Sequence, residues 1–319
     1  MKIQDIAKAA GVSTATVSRV FSNNSSISEK TRDKVLEIAK ELGYHPRLSS
    51  KRRNVVIITP SRIDYPSQKY TEMVLSELSR ELSNRNYRVE ILPADNFRRL
   101  ESVQFCGVIA IGVDVSIADN WDDQFAFPLI FVDRQLPEAK NGVYSVHSDE
   151  FQGMALAIDY LYQHGYRRIG CLIGSAETGN PELRRNAIIK SLIDRRLPAD
   201  ESFVRMAMPD QFIEEVGKLL RENVDSLFCP GGDAGIITAY SLSLYGKKIP
   251  DDIALIASER TMVSRYCIPA QTTISQDYPA LVKYVVDLIE AQVNQVKLPV
   301  IPTLPYKLIL RDSVKSKKK

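Results

Sequence analysis

The side chains that carry most protein chemistry are few in this chain and widely spaced. His45, His147 and His164 stand far apart, with no HExxH pair to hold a metal. Cys106, Cys171, Cys229 and Cys267 include no CxxC, so neither a zinc site nor a disulfide framework is expected, and the thiols read as buried. The glycines of PGGDAG at 230–235 lack the spacing of a dinucleotide loop or a Walker loop. A catalytic constellation is therefore missing, and the chain reads as neither an enzyme nor the holder of a cofactor or metal.

A different spacing does carry chemistry. Ser13, Thr14, Ala15, Thr16, Ser18 and Arg19 fall within one short segment whose apolar partners, Val17, Val20 and Phe21, occupy the opposite helical face. Thr14 and Ala15 are small enough to approach a thymine methyl, and Arg19 can reach a guanine or a phosphate. The elements needed to present them are also visible. Ile3, Ile6, Ala7 and Ala10 predict a first helix ended by Gly11; Ser13 caps a second; Ser28 opens a third, with Val35, Leu36, Ile38, Ala39 and Leu42 before Gly43. Two short helices joined through glycine and buttressed by a third give either a helix-turn-helix unit, the second helix offering its first turn to a DNA groove, or an ordinary small three-helix unit, which shows the same periodicity.

Charge supports that division. Residues 1–53 hold eleven Lys or Arg against five acids, a balance of +6, and KSKKK at 315–319 adds +4, in a chain of net charge +3. The body between is thus acidic, at −7, which suits a protein in which one module meets phosphate and the rest does not. The tail reads as a solvated, frayed end. With 319 residues, 44% of them hydrophobic and 25% charged, the chain has room for about two compact units and is too ordinary in composition to be disordered. Apolar runs such as VVIITP at 55–60 are far too short to cross a bilayer, and the N-terminus shows no signal-peptide pattern. The expected location is the bacterial cytoplasm, in association with the nucleoid.

Beyond residue 54, short apolar runs alternate with helical patterns. Strands are expected at 55–59, 89–92, 107–111, 129–132, 168–173, 226–229 and 253–257, and helices at 68–84, 152–164, 181–195, 211–223 and 234–245. That alternation predicts an α/β body of doubly wound parallel sheets, with enough strands for two, and a ligand between facing strand ends.

The stretch IQDIAKAAGVSTATVSRVFSNNSSISEKTRDKVLEIAKELGYHP resembles the headpiece of the lactose repressor (LacI/GalR) family of transcription regulators almost residue for residue. The body is similar to the family more loosely, in PLIFVDRQLP, VHSDEFQGMALAIDYLYQHGYRRIGCLIG, GKKIPDDIALIA, IPAQTTISQD and LILRDS. The resemblance implies an N-terminal all-α headpiece over 1–46, a linker over 47–54 and a type I periplasmic-binding-protein body over 55–314. That body would divide into an N-subdomain of about 55–145 and 273–304 and a C-subdomain of about 146–272 and 305–314, with 315–319 as a basic tail. The N-subdomain looks short, as in some galactosidase-operon regulators of the family.

By the same resemblance, Thr14, Ala15 and Arg19 read the operator while Ser13, Thr16, Ser18 and Tyr44 position its backbone. The family's AxxL hinge motif is absent from RLSSKRRN at 47–54. Lys51, Arg52 and Arg53 either touch phosphate there or remain solvated; Leu48 is a candidate substitute for the missing wedge, but eight residues must also cover the reach to the body, so weaker operator bending than is usual in the family is expected. Arg184 aligns with the family's effector-clamping arginine, although Ala187 replaces the glycine of that motif; the other reading is a surface charge. Asp133 and Asp149 align with residues that either accept hydroxyl hydrogen bonds or cap helices. Glu259 stands where the family has an effector-binding aspartate, and Gly232-Asp233 replaces its Asn-Asp pair. The implied function is a repressor, a homodimer on double-stranded operator DNA, controlled by a small molecule of carbohydrate type. The alternative is a sugar-binding protein of the same body whose headpiece has lost DNA binding.

Overall fold

The computed structural model describes residues 3–21, 27–42, 53–61, 67–103, 105–119, 121, 125, 127–136, 138–174, 181–294 and 296–317. Helix α1 (Ile3–Ala10) ends at Gly11, whose φ of +66° only glycine adopts freely, and α2 (Thr14–Phe21) follows at once. Helix α3 (Glu29–Glu41) closes the unit. Ile6, Ala7 and Ala10 of α1 pack with Val17 and Val20 of α2 and Val35 and Ala39 of α3 in a small core of their own.

Two sheets form the body. The first holds β1 (Asn54–Thr59), β2 (Arg88–Pro93), β3 (Gly107–Ile111), β4 (Leu129–Val132) and β5 (Val143–Val146) in the order β2-β1-β3-β4-β5, all parallel. Strands β1, β3 and β4 are apolar runs because both their faces are covered. On one face lie α4 (Ser67–Asn84) and α10 (Tyr278–Val293), whose Leu78, Leu82, Val285 and Ile289 join Val55, Ile57 and Ile109. On the other, no long helix links β2 to β3. A 3₁₀ segment, Ala94–Ser102, and an aromatic group of Phe97, Phe105, Trp121 and Phe125 fill that place.

The second sheet contains β6 (Ile169–Gly174), β7 (Val204–Ala207), β8 (Ser226–Cys229), β9 (Ala254–Ser258), β10 (Thr272–Ser275) and β11 (Lys307–Ile309), in the order β11-β10-β9-β8-β6-β7. Only β11 runs antiparallel, against β10 at the edge. Around it lie α5 (Glu150–Gln163), α6 (Pro181–Asp194), α7 (Phe212–Arg221), α8 (Ala234–Leu244) and the short α9 (Thr261–Tyr266). The expected strands and helices up to residue 257 all appear, within two or three residues at their ends. Strands β5, β7, β10 and β11 and helices α9 and α10 add to them.

The chain passes between the sheets at three places. It leaves the first after Val146, returns after Ser275, and crosses again near Leu304 to Tyr306, residues that belong to different cores. Strand β10 lies wholly in the second sheet, so the middle passage falls at 276–277, a few residues beyond the division expected between 272 and 273. The tail differs from expectation too. As far as Lys317 it is docked rather than frayed: the Tyr166 hydroxyl donates to the Lys315 carbonyl at 2.7 Å, the Lys317 amide donates to the His164 carbonyl at 3.0 Å, and Lys317 Nζ reaches Asp225 at 2.7 Å.

Candidate nucleic-acid interface and interdomain cleft

Ser13 starts α2 by accepting the Thr16 amide on its Oγ at 3.0 Å, and the two hydroxyls meet at 2.8 Å. With Val17 and Val20 facing the core, Thr14, Ala15, Ser18 and Arg19 are left exposed along one side of the helix. A helix of this length, exposed at its N-terminal turn and carrying small residues and one arginine, can enter a major groove without steric conflict. Ser28 repeats the capping arrangement for α3, accepting from Thr31 at 3.3 Å.

Arg53 is not simply solvated. Its Nη1 donates to the Arg85 carbonyl at 2.8 Å and its guanidinium lies 5.4 Å from the centre of the Tyr87 ring, so the side chain is laid against the body where β1 begins. Tyr44, Leu48, Lys51 and Arg52 fall outside the described residues.

The second site is a cleft of about 1050 Å³, including the part open to solvent, between the two sheets. Tyr70, Asp133, Arg134 and Tyr278 line it from the first sheet's side, and Arg184, Phe212, Glu259 and Arg260 from the second's. Three of the four residues expected there, Asp133, Arg184 and Glu259, do line this one cleft. Asp149 is not among the lining residues. Its carboxylate accepts the Gln152 amide at 2.9 Å and caps α5, the helix-capping alternative of the two open for it.

The charges of the cleft are engaged with one another. Arg184 presents Nε and Nη2 to the two oxygens of Glu150 at 3.0 and 2.8 Å, and Glu150 is only 3% exposed. Burial opposes the guanidinium charge, but Glu150 outweighs it and holds Arg184 well above its ordinary pKa. Glu259 is held by Arg311 at 2.8 and 3.1 Å and by the Thr273 hydroxyl, so its carboxylate is already spoken for. Arg260 pairs with the fully buried Asp233 at 3.2 Å. Asp133, at a φ of +54°, accepts from the Ser148 amide at 3.2 Å and from the Gln276 side chain.

Three tyrosines complete the lining. Burial, with Asp133 nearby, raises the pKa of the Tyr70 and Tyr278 hydroxyls; burial and then Glu150 do the same at Tyr306. All three are neutral hydrogen-bonding groups at any ordinary pH. The Tyr70 hydroxyl is buried without a hydrogen-bond partner among the described residues, an arrangement expected where a ligand or water supplies the missing bond. Glu150, Arg311, Arg260, Gln276 and the tyrosines were not foreseen from sequence. The Arg184–Glu150 partners are 34 residues apart and the Asp133–Gln276 partners 143. Only the EFQG segment next to the expected Asp149 offered a signal, a glutamate in a helix's first turn.

Comparison with known proteins places both units. Residues 2–47 match the family described as bacterial regulatory proteins, lacI family, and residues 158–314 match a periplasmic binding protein-like domain. The transcriptional regulator DegA of Bacillus subtilis (strain 168) is 28% identical over 295 residues, covering 86% of each chain. The structure of the transcriptional regulator CelR in complex with cellobiose superposes with a TM-score of 0.72 at 22% identity, over 98% of this chain and 100% of that one. The lac repressor dimer bound to operator and the anti-inducer ONPF gives 0.71 at 20% identity, over 99% of each. Among the described residues no helix is long and apolar enough to cross a membrane. The chain therefore joins a helix-turn-helix domain of the lacI family of bacterial regulatory proteins to a periplasmic-binding-like domain, on the two-sheet fold of the lac repressor.

Proposed function

We propose that the protein is a sequence-specific DNA-binding transcriptional regulator, acting as a repressor, that binds a two-fold operator as a homodimer and releases or grips it in response to a neutral carbohydrate in the cleft. One observation carries the reading: a single chain joins an exposed recognition face, Thr14, Ala15, Ser18 and Arg19, to a body whose two sheets close on a polar cleft. The division of the body into two subdomains belongs to the same proposal, with its middle boundary at 276–277 where strand β10 ends, rather than at 272–273. Thr14, Ala15 and Arg19 read bases; Ser13, Thr16, Ser18 and Tyr44 position phosphates, aided by Lys51 and Arg52, whereas Arg53 fixes the end of the linker. A lone headpiece touches only a few base pairs, and two-fold pairing supplies the specificity.

In the cleft, Arg184, Asp133 and the Tyr70 hydroxyl are the groups assigned to the effector, and Glu259 shapes the wall through Arg311. Hydroxyl-rich ligands suit such a lining because each hydroxyl both donates and accepts. The cellobiose complex of CelR supports a sugar in this fold. Effector control acts through the difference in its affinity for the two states, about 5- to 150-fold on operator binding. The test is a gel shift with DNA from upstream of the protein's own gene, with and without a panel of mono- and disaccharides, sugar phosphates and nucleosides. Retarded DNA whose affinity changes with a neutral sugar is the expected result; absence of any shift, or a response to purines or phosphorylated ligands alone, overturns it.

A further inference from the structure

We infer that Glu150 sets the charge selectivity of the cleft: by holding the Arg184 fork it turns what would be an anion clamp into a donor for neutral hydroxyls, and so excludes carboxylates and phosphates. The inference rests on the cleft being the effector site. An arginine binds an oxyanion bidentately through two parallel N–H groups. Here one such edge, Nε with Nη2, is filled by the Glu150 carboxylate at 3.0 and 2.8 Å. The remaining nitrogen, Nη1, has no hydrogen bond among the described residues and lies beside the loop at Gly231, where a Cβ would stand 3.1 Å from it. Gly231 has a φ of +94° and its amide donates to Ser258 Oγ at 2.7 Å, so the glycine both permits the turn and leaves room for the guanidinium.

The other arginines of the lining also have a carboxylate beside them. Arg260 is held by Asp233 at 3.2 Å, and Arg134 has Asp114 within 3.9 Å. Asp133 and Glu259 add two carboxylates to the lining itself. An entering anion thus finds each arginine of the lining already beside a carboxylate, with which it has to compete in a partly desolvated space where such pairing is weakly screened. A neutral polyol meets one N–H edge of Arg184, the Tyr70 hydroxyl and acceptor oxygens. Glu150 is placed for this task by the capping of α5: Asp149 fixes the helix start, and Glu150 in the first turn points back at α6 rather than to solvent.

The experiment uses the full-length protein and its Glu150→Gln variant, titrated calorimetrically with glucose, glucuronate and inorganic phosphate. The wild type is expected to take up neither anion at millimolar concentration. Glu150→Gln should bind both at least about tenfold more tightly, and the gain should vanish in Glu150→Gln/Arg184→Gln. Anion binding by the wild type equal to that of Glu150→Gln, or a folded Glu150→Gln that gains none, overturns the inference. Should Glu150→Gln fail to fold, the wild type still decides, since uptake of phosphate or glucuronate at the cleft contradicts the exclusion and its absence supports it. If E150Q gains phosphate while no neutral sugar binds either protein, selectivity through Glu150 stands and the carbohydrate reading falls.

Discussion

The Gln276 side chain donates both to the Asp133 carboxylate and, at 3.1 Å, to the Ser148 hydroxyl, joining the end of β4 to two of the three chain passages between the sheets. Its own carbonyl oxygen accepts from the Tyr278 hydroxyl at 3.0 Å. Replacing Gln276 with Ala should cost about 1 to 3 kcal/mol of stability, the consequence of leaving a buried carboxylate short of a donor. The same variant should show a smaller effector-induced change in operator affinity. Thermal melts and gel shifts with effector check the two parts separately.

Arg19→Ala should weaken operator binding by about 1 to 3 kcal/mol and relax the preference at one position in each half-site. Selection of binding sequences by wild type and variant is the measurement. Selected sites should show dyad symmetry for the wild type.

Gly153 lies against Tyr306: a Cβ there would come within 2.5 Å of the ring, which lines the cleft. Gly153→Ala must therefore push the ring toward the ligand space. The expected loss of stability is about 1 to 3 kcal/mol, as for overpacked cores, and effector affinity should fall further than operator affinity does in the absence of effector. Calorimetry and gel shifts on one preparation give both.

Acid should unlock the contact between α4 and α10. Burial pushes the Asp287 carboxyl up, but hydrogen bonds from Lys283 and Arg85 outweigh it, and the net pKa is lowered. A depressed carboxyl stabilises the fold above its unfolded pKa of about 3.9, and that contribution is lost as pH falls below it through the lower folded value. Denaturation midpoints measured from pH 6 down to pH 2 should decline through that window less steeply in Arg85→Ala than in wild type.

The thiols should divide by reactivity. Burial raises Cys106 and Cys229 to about 12 and holds Cys171 well above the ordinary thiol value, whereas Cys267, also raised by burial, is only half-buried. Native protein at pH 8 should incorporate one equivalent of an alkylating reagent rapidly, at Cys267, and unfolded protein four, as read by intact mass and peptide mapping.

Much of this architecture is legible in the amino-acid order because burial on both faces writes strands as apolar runs. Gly107–Ile111, Leu129–Val132 and Ser226–Cys229 have the ends that their apolar segments indicate. Strand β10 does not, since it is buried yet polar: Thr272 and Thr273 are fully enclosed because the Thr272 amide bonds Ser313 Oγ at 2.8 Å and its hydroxyl bonds the Arg311 carbonyl at 3.0 Å. Those partners arrive from a distant part of the chain, which no local pattern reveals. The cleft divides in the same way. Alignment of Arg184, Asp133 and Glu259 brings them to one place, but what each can do there depends on Glu150, Gln276 and Arg311, and pairing across such separations is visible only in three dimensions.

Three separate passages of chain join the two halves of the body, at 147–149, 276–277 and 304–306. Panels hung on a single strap can swing, slide and twist; panels hung on three cannot, and what remains is turning about the line the straps define. A change in the cleft is therefore converted into one angle. With Arg53 tacked onto the first half where β1 begins, the chain ahead of it is fastened to that panel and not to the second.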